Sequence, residues 1–180
     1  MTAPRLVVVR GNSGSGKTTV AKAIRDKYGR GVALIHQDVF RREVLREHDY
    51  PGAANIGLID TAVRYALDHG FHTVLEGILR VDHYGEMLNG LHRDYANRSH
   101  FFYIDVSFDE TLRRHQSKEG KANEFGAAEM RSWYREHDVA GDFDHVIGED
   151  SAQEETVRTI LDTSGLLEIA VPGQYEPPAQ

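Results

Sequence analysis

The sequence predicts an α/β fold built on a mainly parallel sheet. Three observations predict it. Short runs rich in β-branched and aromatic residues, at 5–9, 32–35, 73–75, 101–106 and 145–147, read as five strands. Stretches of helical periodicity separate them, so strand and helix alternate, which is the order that lays parallel strands side by side with helices on both faces. The first strand also runs directly into a glycine-rich loop and then a helix, and parallel sheets gather such loops at the carboxyl ends of their strands.

Taken in order, residues 17–28 form a first helix closed by Gly29 and Gly31. A second helix is expected over 39–48, with Asp38 as its N-cap and Val39, Phe40, Val44 and Leu45 as its apolar positions. The turn Asp49-Tyr50-Pro51-Gly52 leads to a longer helix over 53–69, whose apolar face is Ile56, Leu58, Ile59, Val63, Ala66 and Leu67. Residues 82–97 read as another helix. Ser107 with Glu110, and Ser151 with Glu154, have the spacing of capping boxes for helices over 109–117 and 152–163. Residues 127–137 are helical and 118–125 form a polar loop, so 117–137 is expected to be a small helical lid. The packed domain is read as 1–165, followed by a proline-containing tail at 166–180 whose end is loosely held.

Composition bounds the function. One hundred and eighty residues, 40% hydrophobic, make one domain with a proper core. The chain has no cysteine, which excludes disulfides and thiolate metal sites, and its ten histidines are scattered without metal-binding spacing. No apolar run approaches a membrane span, and the N-terminus enters the first strand directly, so a cytoplasmic protein is expected. A net charge of −7 counts against a nucleic-acid partner without excluding a local basic channel.

The most specific stretch is Gly11-Asn12-Ser13-Gly14-Ser15-Gly16-Lys17-Thr18, which matches G-x-x-x-x-G-K-[ST] without a mismatch and sits between a strand and a helix. Glycines let the backbone turn several N–H groups toward one anion, and the helix N-terminus adds its own free N–H groups. Lys17 can reach the outer phosphates, the Thr18 hydroxyl can hold magnesium, and Thr19 follows in the first helical turn. The expected architecture is therefore a three-layer P-loop NTPase fold that binds ATP, with GTP as the other candidate, together with Mg2+.

Residues just after the remaining strands face the same crevice. Asp38 follows strand 2, where a carboxylate can take the proton of an attacking hydroxyl, orient that hydroxyl, or cap the next helix. Glu76 ends strand 3 in the manner of a Walker B acid, holding a magnesium-bound water or an acceptor hydroxyl. Arg80 and Arg41 can bind the acceptor. Arg114, Lys118 and Arg131 surround the lid, where positive charge can close over a transferring phosphoryl group. Trp133 and Tyr134 are expected to pack the lid helix. The acids Glu43, Glu47, Asp49, Asp60 and Asp68 on the segment beside Asp38 would suit a cationic acceptor.

The phosphate loop, His36-Gln37-Asp38-Val39-Phe40-Arg41, Val74-Leu75-Glu76-Gly77, the strand at 101–106 and the Arg114 region together resemble the zeta-toxin-like branch of P-loop kinases. The stretch Ile104-Asp105-Val106 with Glu110 and Arg114, and Met130-Arg131-Ser132-Trp133-Tyr134 downstream, is equally similar to the kinase domain of phage-type polynucleotide kinase. Chloramphenicol phosphotransferase belongs to the same group. The resemblance covers residues 5–163 and implies transfer of the ATP γ-phosphoryl to a hydroxyl, with Asp38 as base and Arg114 as a nucleotide-contacting arginine. It also implies a sugar-nucleotide, nucleoside or antibiotic type of small-molecule acceptor. Lys118 departs from the pattern, since these kinases tend to carry an arginine there and lysine lacks the planar fork. Two other functions share the motif: a polynucleotide 5′-hydroxyl kinase, with Arg41, Arg42 and Arg46 beginning a basic channel, and a nucleotide-dependent switch with no acceptor.

Overall fold

A computed structural model describes residues 3–117 and 126–168. Five strands form one sheet: β1 (Leu6–Gly11), β2 (Val32–His36), β3 (His72–Gly77), β4 (Ser99–Asp105) and β5 (Asp144–Gly148). All are parallel, in the order β2-β3-β1-β4-β5. The order places β1 at the centre, with its phosphate loop between the ends of β3 and β4.

Alternation along β1 divides the core. Leu6 and Val8 point to one face, where they meet Ile59, Val63 and Leu67 of α2 (Ala54–Asp68) and Tyr84, Leu88 and Leu91 of α3 (Val81–Asp94). Val7 and Val9 point to the other, against Val20, Ala21 and Ile24 of α1 (Lys17–Tyr28) and Val157, Ile160 and Leu161 of α6 (Gln153–Ser164). Each such side chain, fully buried, contributes about 1.5–3 kcal/mol relative to exposure. Leu166 is also fully buried in this second cluster, so the packed domain includes it. Two shorter helices, α4 (Phe108–Gln116) and α5 (Ala127–Trp133), follow β4.

The segment after β2 departs from expectation. Val39–Val44 forms a π-helical turn, with the Leu45 N–H donating to the Phe40 carbonyl five residues back at 3.1 Å. Asp38 does not cap it: its own backbone is already helical, whereas a capping residue lies outside the helical region. Its carboxylate accepts instead from Arg41 at 3.0 Å and pairs with Arg42 at 3.3 Å. The wider π-turn also rotates Val39, Val44 and Leu45 into solvent, so of the four apolar positions only Phe40 packs against the core.

The capping boxes differ as well. Ser107 Oγ accepts the Glu110 N–H at 3.4 Å, but the Glu110 carboxylate binds Arg113 and Arg114, and the Ser107 N–H donates to Glu149 at 2.8 Å. Ser151 caps nothing; Ala152 holds the cap position of α6, and the Ser151 hydroxyl bonds to that of Thr156 at 2.9 Å. The helix expected over 127–137 stops at Trp133 because the Arg135 N–H goes to the side chain of Asn12 rather than to a helical carbonyl.

Candidate active site

The loop after β1 needs its glycines. At Gly11 (φ +154°) an added Cβ would stand 2.7 Å from the Ile104 carbonyl oxygen and from Ser15 Oγ, and at Gly14 (φ +82°) 2.8 Å from the Thr111 carbonyl oxygen. Gly16 enters α1 in the left-handed region. Lys17 Nζ donates to the Asn12 carbonyl at 3.3 Å, closing the loop over its own lysine. The Ser15 hydroxyl is buried with no hydrogen-bond partner among the described residues, inside the cradle where phosphate oxygens are expected. Ser13 and Thr19 lie on the same turn and helix start, and Thr19 lines the adjoining cleft.

Three strands bring a row of groups together beside Lys17. The Thr18 hydroxyl donates to Glu76 Oε2 at 3.1 Å, and His36 Nδ1 lies 2.5 Å from Glu76 Oε1. Register explains the second contact, because His36 and Glu76 are direct partners of the β2–β3 ladder and share a face. A magnesium ion with bonds of about 2.1 Å to six oxygens sets neighbouring ligands about 2.9 Å apart, so the Thr18 and Glu76 oxygens fit one edge of such an octahedron. Among the described residues no group of three or more metal-ligating side chains gathers.

Asp38 stands on the next strand end, its side chain 62% exposed between Arg41 and Arg42. Arg80, at the start of α3, closes on Asp82, and that hydrogen bond is the main reason the Asp82 carboxyl lies below the usual range. Arg131 turns to aromatic rings: its guanidinium lies 4.7 Å above the Phe108 ring and 6.0 Å from that of Tyr134. Tyr134 packs as expected, donating to the Val106 carbonyl at 3.0 Å. Lys118 lies outside the described residues.

Arg114 bridges two walls of a cleft of about 430 Å³ beside the phosphate loop. It donates to the Ser15 carbonyl and to the Glu149 carbonyl, both at 3.1 Å, and to Glu110 at 2.6 Å. The Arg113 and Arg114 guanidiniums hold the Glu110 carboxyl down at about 2. The cleft continues past Gly14, Gly16 and Thr19 to the turn at 148–153, which gives it room for a nucleoside next to the phosphates.

The acids expected to greet a cationic acceptor are largely engaged. Glu47 takes the Ala54 and Asn55 N–H groups, each at 2.8 Å, and so caps α2 from a distance. Asp49 accepts from Tyr84, and Asp60 from Arg64. The sequence gives no role to two contributors, His36 and Arg135, and takes Asn12 only as one residue of the phosphate loop. His36 was discoverable from the shared position at the ends of β2 and β3, once those strands are neighbours. The Asn12–Arg135 contact spans 123 residues and carries no local signal.

Comparison with known proteins agrees with this fold. A family model described as Zeta toxin matches residues 1–122. Among solved structures, the gluconokinase from Sinorhizobium meliloti 1021 is similar at 17% identity and a TM-score of 0.65, covering 93% of this chain and 95% of that one. The Mycobacterium tuberculosis APS kinase CysC, in complex with AMPPNP and APS, is similar at 18% identity and a TM-score of 0.68, covering 94% and 100%. The Deinococcus radiodurans tunicamycin resistance protein is similar at 16% identity and a TM-score of 0.65, covering 96% and 99%. No curated protein matches the chain.

Proposed function

The chain belongs to the zeta toxin family and carries the fold of P-loop kinases, and from this we propose that it moves the γ-phosphoryl group of ATP to a hydroxyl of a small molecule. The observation that carries the reading is the row Thr18–Glu76–His36 lying beside Lys17, with Asp38 on the neighbouring strand end. A phosphate cradle alone serves many NTPases. A cradle flanked by an exposed, arginine-held carboxylate has a donor side and an acceptor side.

The residues divide the work. The loop at 11–18 and Lys17 bind and orient the triphosphate, and Arg114 joins the phosphate loop to the wall of the nucleoside cleft. Magnesium, when bound at Thr18 and Glu76, neutralises charge on the phosphate oxygens. His36 fixes the Glu76 carboxylate in place. Asp38, with Arg41 and Arg42 setting its direction, accepts the proton of the acceptor hydroxyl as that oxygen attacks phosphorus. Arg80 and Arg131 serve the acceptor and the lid once they leave their present partners. The acceptor is of nucleoside, sugar-nucleotide or antibiotic type; the chain's neighbours in structure include an APS kinase and a gluconokinase by name.

A panel of such alcohols with Mg-ATP tests the proposal. Formation of ADP that depends on one acceptor, with a phosphorylated product, is the expected result. ADP formation at one rate whatever alcohol is added would sink it.

A further inference from the structure

Gln37 stands between two residues of the site, His36 and Asp38, yet it is only 3% exposed. Its Oε1 accepts the Leu79 N–H at 3.1 Å, which joins the chain leaving β2 to the chain leaving β3. The bend it holds is one that a side-chain-bearing residue rarely adopts. Leu79 is fully buried and lies in the left-handed region, at φ +45°. Gly77 makes room for the clamp: an added Cβ there would run into Gln37 Oε1 and stand 2.6 Å from Gln37 Cβ.

The other end of the amide reaches the Tyr84 hydroxyl. That hydroxyl meets Asn55 Oδ1 at 2.8 Å and Asp49 Oδ1 at 3.1 Å, and Asn55 Nδ2 donates to Glu47 at 3.0 Å. Gln37, Tyr84 and Asn55 are each no more than 3% exposed. A buried polar chain thus ties the ends of β2 and β3 to the first turns of α2 and α3, and a satisfied network of this kind rigidifies its surroundings. The buried Leu79 N–H needs an acceptor, but nothing requires it to come from the residue beside Asp38. The β2–β3 ladder ends at the His36–Glu76 pair, and past that rung the Gln37 side chain takes over the pairing of the two strand ends.

We propose that Gln37 is a positioning residue for phosphoryl transfer, whose side chain fixes how far Asp38, on the acceptor side, stands from Glu76, on the phosphate side. The assignment rests on the kinase reading. Transfer is sensitive to such a spacing, since a misplacement of about 1 Å can cost about 100-fold in rate.

The test follows label from γ-labelled ATP into uridine, UDP-N-acetylglucosamine and chloramphenicol, one probe for each acceptor type, beside a calorimetric titration of the full chain with Mg-AMPPNP. Gln37→Met lowers kcat for the best of the three probes by about tenfold or more, while the affinity for AMPPNP stays within about twofold. Gln37→Glu, whose carboxyl still accepts the Leu79 N–H, recovers most of that rate. Gly77→Ala keeps Gln37 in the chain but fills its place beside β3, and loses rate as Gln37→Met does. Either of these two losses carries the test if the other variant does not fold. A kcat in Gln37→Met within about twofold of wild type, an equal fall in AMPPNP affinity, or no difference between the Met and Glu variants overturns the assignment. A wild-type chain that binds AMPPNP and labels none of the probes overturns the kinase reading itself.

Discussion

Glu76 is held from two sides, and each side belongs to a different strand end. Thr18 donates to one oxygen and His36 meets the other, so the carboxylate cannot swing away from the phosphate loop. A group that orients a metal ligand in this way commonly sets metal affinity without touching the metal, and His36→Ala should weaken magnesium binding by about tenfold. A magnesium titration of nucleotide binding measures it, and an unchanged midpoint would leave His36 as packing. Asp38 shows how residue identity and residue geometry separate. Its position after β2 is legible in the sequence, because a carboxylate at a parallel strand end faces the crevice. Its partners are not. Arg41 and Arg42 stand three and four residues on, the spacing any helical turn brings together, but no periodicity in residues 39–48 shows that this turn is π-helical or that Asp38 pairs with them rather than capping it.

At the scale of elements, α2 begins without a local cap and borrows Glu47 from the preceding segment. Hydrogen bonds from Asn55, first through its side chain and then through its backbone, pull the Glu47 carboxyl from 4.5 down to about 2. The folded value is the lower one, so this carboxylate stabilises the fold above the unfolded value of 4.5, and the contribution is lost as the pH falls toward about 2. Melting temperatures of wild type and Glu47→Gln should therefore differ most above pH 5 and converge as acid is added; a gap independent of pH would contradict the capping role. Such a cap is invisible to a reading that looks three residues ahead of a helix. The same reading places a box at Ser151 and Glu154, where the serine instead finds the Thr156 hydroxyl. Strands fare better, because an unbroken run of β-branched or aromatic residues, as in β1 and β4, is a property of contiguous residues. All five are read within a few residues, while the order β2-β3-β1-β4-β5 arises only from packing.

Across the whole molecule, Arg10 ties the crevice to the sheet. It is fully buried at the carboxyl end of β1, 2.6 Å from Asp144, whose side chain is also fully buried, and it reaches the Asp138 carbonyl at 2.7 Å and the Leu79 carbonyl at 3.4 Å. Asp138 in turn accepts the Val81 N–H at 3.0 Å, so one guanidinium joins β1, β5, the start of α3 and the segment after α5. Removing one partner of such a pair strands a buried charge, and Arg10→Ala should cost about 3–5 kcal/mol in a urea unfolding titration. A loss under about 1 kcal/mol would show that water reaches the pair. A chain of net charge −7 thus keeps one arginine wholly inside, paired with a buried aspartate. Among the described residues no helix is long and apolar enough to cross a membrane.

The central claim is that the phosphoryl group leaves ATP for an alcohol under the action of Asp38. Transfer of label from γ-labelled ATP into an acceptor, compared between wild type and Asp38→Asn, tests it most directly. Wild type yields a labelled phosphoester, and Asp38→Asn loses about 100-fold or more of that transfer with nucleotide binding retained. Label released only as inorganic phosphate, or transfer that survives the substitution, would contradict it.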